Sequence, residues 1–246
     1  MDAVLLAGGV GARLRPLTDG TPKPLLPIND SSTLDTALHC LRRGGVKRVF
    51  VAAGYSADKV RAFVGNGARW GLDIEVSVEE QPLGTAGPLS LLRSQLSKPF
   101  ILMNGDILTT LDFKKFLKEA GASQAALTAV TTTVSIGLPY GRVTVTGNRI
   151  DAVEEKPELS VEVLAGIYLL QPEALKVIPD GRSFGVDELI EALLQRGKDV
   201  HCYATDAYWR DIGQLADYEA AQDEHSLVFA PQMRAIMPAQ PPIAAA

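Results

Sequence analysis

The sequence of 246 residues is poor in several features that would settle its class quickly. It has only two cysteines, Cys40 and Cys202, far apart and without a Cys-x-x-Cys partner. That leaves room for one disulfide at most and reads better as two reduced, buried thiols in a cytoplasmic protein. No run approaches the ~18 apolar residues of a membrane span. The start, Met1-Asp-Ala-Val-Leu-Leu, is too short and too acidic for a signal peptide. The net charge of −5 supplies no basic field for nucleic acid. The expected partners are therefore small molecules, with neither nucleic acid nor membrane among them.

The chain does have a hydrophobic content of 46% and a length that suits one sizeable core. Val4–Leu6 is a short apolar run that stops at glycines, as a buried strand does. Helical spacing over Leu34–Leu41 follows the capping candidates Ser31, Ser32 and Thr33 and stops at Gly44-Gly45. Strands are expected at 46–53, 73–78 and 100–103, and helices at 57–64 and 87–96. Further on come a helix at 113–119 with Asp112 before it as N-cap, and a strand at 125–133. A hairpin is expected around Gly147-Asn148, then a strand at 161–170, a helix at 184–194, a strand at 200–203 and a last helix at 214–224. This alternation predicts an α/β fold, a Rossmann-like mixed and mostly parallel sheet flanked by helices. Residues 1–225 are expected to form one domain, and the Pro/Ala-rich stretch 226–246 a poorly ordered tail.

Gly8, Gly9 and Gly11 follow the first strand directly, where a missing Cβ lets backbone N–H groups approach a phosphate. The stretch lacks Gly-x-x-x-x-Gly-Lys-Ser/Thr, so it is not a P-loop. It also lacks the third glycine of a dinucleotide fingerprint, which weakens an oxidoreductase reading. Instead it carries Arg13, and then Lys23 held between Pro22 and Pro24. Two cations so placed can share the charge of a triphosphate.

These residues, Leu5-Leu-Ala-Gly-Gly-Val-Gly-Ala-Arg-Leu-Arg-Pro-Leu-Thr18 and Pro22-Lys-Pro-Leu-Leu-Pro27, resemble the signature of the sugar-1-phosphate nucleotidylyltransferases. The likeness continues in Glu80–Gly87, Asn104-Gly-Asp106, Glu155-Lys-Pro157, Ala165-Gly-Ile-Tyr168 and Trp209-Arg-Asp-Ile-Gly213. In motif it is nearest to the mannose-1-phosphate and heptose-1-phosphate guanylyltransferases. The resemblance implies the nucleotide-diphospho-sugar transferase fold. It also implies transfer of a nucleotidyl group from a nucleoside triphosphate to a sugar 1-phosphate or a sugar-like cyclitol phosphate, with release of pyrophosphate.

The resemblance assigns nucleotide contacts to Leu6, Ala7, Gly8, Gly9, Gly11, Arg13, Lys23, Glu79, Gly84 and Thr85. It assigns sugar-phosphate contacts to Asn104, Gly141, Glu155, Lys156, Leu164, Gly166 and Tyr168. Asp106, at the end of a buried strand, and Asp211, a carboxylate within an apolar segment, match the family's metal ligands, for Mg²⁺ or Mn²⁺. Arg13, Lys23, Asp106, Lys156 and Asp211 are the expected catalytic set. A phosphate nucleophile is already ionised, so no general base is needed, and His39, His201 and His225 read as packing or surface residues.

Glu79 stands where uracil- and thymine-using members generally have glutamine. A carboxylate only accepts, so it matches guanine N1–H and the 2-amino group, which favours GTP. A loop shifted by two would put Gln81 there and return UTP or dTTP. Leu164 replaces an asparagine usual in the family, which implies an unusual acceptor. Ala12 replaces a usual threonine. A non-catalytic nucleotide-sugar sensor is the competing reading, and a homodimer is the default assembly.

Overall fold

A computed structural model of the chain describes residues 1–229. In chain order the elements are β1 (Asp2–Leu6), β2 (Pro27–Ile28), β3 (Ser31–Ser32), α1 (Thr33–Arg43), β4 (Arg48–Ala53), α2 (Ala57–Val64), β5 (Asp73–Val78), β6 (Phe100–Asn104) and β7 (Ile107–Thr109). There follow α3 (Phe113–Ala122), β8 (Leu127–Gly137), β9 (Arg142–Thr146), β10 (Arg149–Glu154), β11 (Glu158–Leu170), α4 (Val186–Gln195), β12 (Val200–Ala204), β13 (Trp209–Asp211) and α5 (Leu215–Val228).

A seven-stranded sheet in the order β12-β8-β11-β6-β1-β4-β5 forms the centre. Only β11 runs against its neighbours; the other pairings are parallel. The mixed, mostly parallel sheet expected from the sequence is thus present. Strand β1 is central because Ala3, Val4 and Leu5 are wholly buried, and a strand covered on both faces reads as a continuous apolar run. One core layer packs α1, α2 and α3 on one face, around Leu34, Leu38, Val60 and Phe116. The other layer packs α4 and the 172–178 turn on the opposite face, around Leu89, Phe100, Leu175 and Leu189. From β1 the chain moves to β4 on one side and later to β6 on the other. That reversal leaves a crevice beyond the carboxyl ends of β1 and β6, where open α/β sheets place their ligands.

Local chemistry accounts for the helix ends. Ser32 Oγ accepts from Asp35 N and starts α1, and Gly44 ends it. Asp112 accepts from the N–H groups of Lys114 and Lys115 and caps α3, as the sequence suggested.

Three expectations need correcting. Residues 87–96 are not an α-helix: 3-10 turns cover Gly87–Leu92. Ala86 and Gly87 both donate to Phe184 O, so tertiary bonds fix the first turn, and Pro88 offers no donor. The same bonds hold Phe184 in extended chain, and α4 begins two residues later than expected. Cys202 is not buried, because β12 is an edge strand and its side chain faces out. Cys40 is half-buried, its thiol donates to Thr109 O, and burial pushes its pKa up to about 11. Both cysteines are free.

The 214–224 helix runs on to Val228, and the rest of the expected tail, 230–246, lies outside the described residues. Beyond the sheet, β8 and β11 continue as a two-stranded ribbon that carries the hairpin β9–β10. Among the described residues no helix is long and apolar enough to cross a membrane.

Candidate active site

The crevice begins where β1 runs out. Ala7 still donates to Ala52 O. The next backbone donor is Leu14, to Gly11 O. Among the described residues the six amides from Gly8 to Arg13 have no protein acceptor. Gly9 has no atom within 4 Å of where a Cβ would stand, so its surroundings are open. Gly11 has φ +63°, and a Cβ there would lie 2.7 Å from Thr18 Cγ2 and 3.1 Å from Lys23 Cβ. Only glycine fits that turn. Thr18, which sequence reasoning did not single out, fastens it by donating to Gly11 O at 2.9 Å.

Lys23 sits in a short 3-10 turn with Pro24 and Leu25. Its side chain is 10% exposed and crosses the crevice to β6. There Nζ lies 2.5 Å from Asp106 Oδ2 and 3.9 Å from Asp211 Oδ1. The two aspartates are brought together by chain pairing: β13 runs antiparallel to β7, and Ile212 N donates to Asp106 O at 3.0 Å. Gly105 ties this corner to the first loop by donating to Leu6 O. Arg13 approaches from the other side; a Cβ on Gly213 would be 3.6 Å from Asp211 Oδ2 and 3.8 Å from Arg13 Nη2. Burial and the negative charge of Asp106 push the Asp211 carboxyl above its ordinary range, against the opposing pull of Lys23 and Arg13. The ionised form of Asp211 is thus disfavoured at this corner.

Glu79 lies beyond β5, at the rim. A Cβ on Gly8 would meet Glu79 Oε1 at 2.7 Å, so Gly8 is the residue that makes room for this carboxylate. Glu79 Oε2 accepts from Leu83 N at 3.0 Å. Burial raises the Glu79 pKa and the Leu83 bond partly restrains it. Gln81 points elsewhere and donates to Gly181 O at 2.8 Å. Gly84 has φ +78° and packs against Ser183 and Phe184. Thr85 Oγ1 accepts from Val186 N, which ties its hydroxyl to the start of α4.

Asn104, Leu164, Gly166, Tyr168, Trp209 and Asp211 line a cavity of about 320 Å³. A bulge in β11 between Leu164 and Tyr168 makes it, with Gly166 at φ +69°. Trp209, also unforeseen, pins the bulge by donating from Nε1 to Ala165 O. Asn104, which lines this cavity, has a buried Oδ1 without a hydrogen-bond partner among the described residues. Leu164 is 44% exposed at the cavity wall. A larger groove of about 820 Å³ adjoins it, sharing Val134, Trp209 and Asp211, and Arg13 lies on its wall.

Glu155 and Lys156 are not on a strand. They form the bend between β10 and β11, where Lys156 takes φ +46° and thereby avoids the opposite-face problem of two adjacent strand residues. A Cβ on Gly141 would be 3.2 Å from Glu155 Oε2, so these two meet. Neither they nor Lys156 line either cavity. The histidines stand apart from the crevice: His225 is buried against Thr36 Oγ1 and stacks on Phe229, and His201 is exposed on β12.

The family model described as "Nucleotidyl transferase" matches residues 2–226. A mannose-1-phosphate guanyltransferase of Candida albicans is 34% identical over 227 residues, covering 89% of this chain and 62% of that protein. A mannose-1-phosphate guanylyltransferase of Mycobacterium tuberculosis is 34% identical over 224 residues, covering 89% of this chain. The chain thus spans about 62% of the length of these relatives. Among solved structures, HddC from Yersinia pseudotuberculosis complexed with GMP-PN matches with a TM-score of 0.72 at 26% identity, covering 91% of this chain and 99% of that one.

Proposed function

The chain belongs to the nucleotidyl transferase family, and from that premise we propose that it transfers a guanylyl group from GTP to a sugar 1-phosphate or a closely related cyclitol phosphate. The observation that carries this reading is the meeting of six unpartnered loop amides with the Lys23–Asp106–Asp211 cluster at one crevice. Amides and cations suit the phosphates of one substrate, and paired carboxylates suit a cation between the two substrates.

A phosphate oxygen of the acceptor forms a bond to the α-phosphorus of the triphosphate. The bond from that phosphorus to the β-phosphate bridging oxygen breaks, and pyrophosphate leaves with the electron pair. The nucleophile arrives ionised, so no residue has to take its proton. The loop amides of Gly8 to Arg13 orient the triphosphate, and Arg13 and Lys23 offset its charge. The family resemblance would have Lys156 meet the acceptor phosphate and Glu155 take its hydroxyls, although neither lines the cavity beside Asp211 in this structure.

The donor set also fits a hard divalent cation. Two carboxylates crowd each other here, and a lysine ammonium already lies between them. Mg²⁺ needs only one or two carboxylates and completes its shell with phosphates and water, and Mn²⁺ fits the same donors. Bound at Asp106 and Asp211, such an ion supplies charge neutralisation on the reacting phosphates.

For the base, Glu79 faces Gly8 whereas Gln81 is held by Gly181. That favours an acceptor-only group at the base edge, and hence guanine over uracil or thymine. The names of the relatives and the GMP-PN held by HddC point the same way. A panel of GTP, UTP, dTTP, CTP and ATP against several sugar 1-phosphates, read as pyrophosphate release, tests the reading. Preference for UTP or dTTP contradicts the base assignment, and no release with any pair favours the sensor.

A further inference from the structure

Strand β13 is three residues long and carries Asp211 at its end. Alternation along it sends Trp209 and Asp211 into the smaller cavity, while Arg210 lines the adjoining larger groove together with Glu224. Arg210 meets Glu224 of α5 through two bonds, Nε to Oε2 at 3.0 Å and Nη2 to Oε1 at 2.6 Å. Tyr208 Oη donates to the same Oε2 at 2.7 Å. A two-point guanidinium–carboxylate pair fixes direction as well as distance, which a single contact does not.

The same helix also grips the segment that follows Lys23. Tyr218 Oη and Gln222 Nε2 both donate to Pro27 O, at 2.5 and 2.7 Å. Asn29, in left-handed backbone, donates from its main chain to Gln222 Oε1 and from its side chain to Gln222 O. Ala221 and His225 of α5 are buried, and Ala221 and Phe229 join Leu26, Ile28, Leu108 and Ile212 in a small apolar cluster, so these polar contacts add direction to an apolar seat. These contacts run to the two segments that carry Lys23 and Asp211.

We propose that α5 is a positioning element for the charge cluster, with Arg210 and Glu224 as positioning residues that hold Asp211 toward Asp106 and Lys23. The proposal rests on the reading of Asp106 and Asp211 as cation ligands. Both residues line the larger groove, and the role assigned to them is to orient Asp211 and not to bind substrate. Asp211 and Ile212 stay tied to the β7 segment through their main chain, so loss of the two-point pair loosens only the side of β13 that faces α5 and lets the Asp211 carboxylate shift against Asp106 and Lys23. Partners behind a ligand typically matter by about ten- to a hundred-fold in metal affinity.

The test uses the full chain and Mn²⁺ alone, with binding followed by electron paramagnetic resonance. Melting temperature and steady-state constants are measured beside it. Glu224→Gln keeps shape but loses charge, and Arg210→Lys keeps charge but loses the fork. Each is expected to weaken Mn²⁺ binding about tenfold while the melting temperature and the triphosphate KM at saturating metal stay near wild type. The swapped double variant Arg210→Glu with Glu224→Arg is expected to recover part of the loss. Wild-type Mn²⁺ binding in both single variants, with Asp211→Asn impaired, overturns the proposal alone. A loss of Mn²⁺ binding that only tracks a large fall in melting temperature also overturns it, in favour of a plain structural role. Unimpaired binding in Asp211→Asn overturns the ligand reading and the proposal with it.

Discussion

Ile212 donates its backbone N–H to the carbonyl of Asp106 across 3.0 Å. That one bond joins segments more than a hundred positions apart and sets the two aspartates on one corner of the crevice. Lys23 then enters from a third segment and lies within salt-bridge reach of both.

The corner holds two carboxylates, and each disfavours the charge of the other. Asp106→Asn and Asp211→Asn are each expected to lower kcat by about 10²–10³, the cost typical of removing one preorganised electrostatic contact. Asp211→Asn removes a carboxylate whose charge is disfavoured by burial and by Asp106. Its melting temperature without metal is therefore expected to equal or exceed that of wild type at neutral pH. Calorimetry beside a pyrophosphate assay checks both; a clear loss of stability contradicts the crowding argument.

Glu79 gives the base reading a pH signature. Burial holds its pKa above the ordinary carboxylate range, so it protonates at a higher pH than an exposed glutamate as pH falls. Only the ionised form accepts from both guanine donors. The KM for GTP is thus expected to rise as pH drops through that raised pKa, and to be flat above it. Glu79→Gln should lose this dependence and weaken discrimination for GTP by about ten- to a hundred-fold, the range for a hydrogen bond to a charged group. Equal pH profiles for wild type and variant, or undiminished GTP selectivity in Glu79→Gln, would exclude the assignment.

Gly166 tests the bulge that shapes the acceptor cavity. A Cβ there runs into Ile107 Cδ1 and Asn104 Nδ2, and φ is +69°. Gly166→Ala is expected to cost about 1–3 kcal/mol from overpacking, and to displace Asn104. Urea unfolding measures the first effect and the acceptor KM the second. Unchanged values of both would mean that the bulge yields.

Leu164 governs the acceptor in this account. It stands at the wall of the cavity that Asn104 also lines. Leu164→Asn is expected to improve turnover with mannose 1-phosphate and to worsen it with the native acceptor. A panel of sugar 1-phosphates with both proteins decides; no gain on mannose 1-phosphate counts against the role.

The sheet was readable because its strands are short apolar runs closed by glycine or by polar turns, as with Val4–Leu6 before Gly8. The helix ends at Ser32, Gly44 and Asp112 were readable because capping is local chemistry. What escaped was set by distant partners. The 3-10 turns at 87–92 follow from bonds to Phe184, and the exposure of Cys202 from the edge position of β12. In the site, motif spacing marked Lys23, Asp106 and Asp211, because each sits in a dense local signature. Arg210, Glu224, Trp209 and Thr18 escaped as site residues because their roles lie in pairings between segments, which one sequence does not display. The bend at Glu155-Lys156 escaped as well, because the left-handed Lys156 that supplies the turn carries no local signature.

The most direct test of the central claim mixes purified protein with GTP, a sugar 1-phosphate and Mg²⁺ and follows the phosphorus atoms by ³¹P NMR. A nucleoside diphosphate sugar and pyrophosphate are expected in equal amounts, with both formed far more slowly in Lys23→Ala and Asp211→Asn. Tight GTP binding by the wild type with neither product, across the whole acceptor panel, would contradict it.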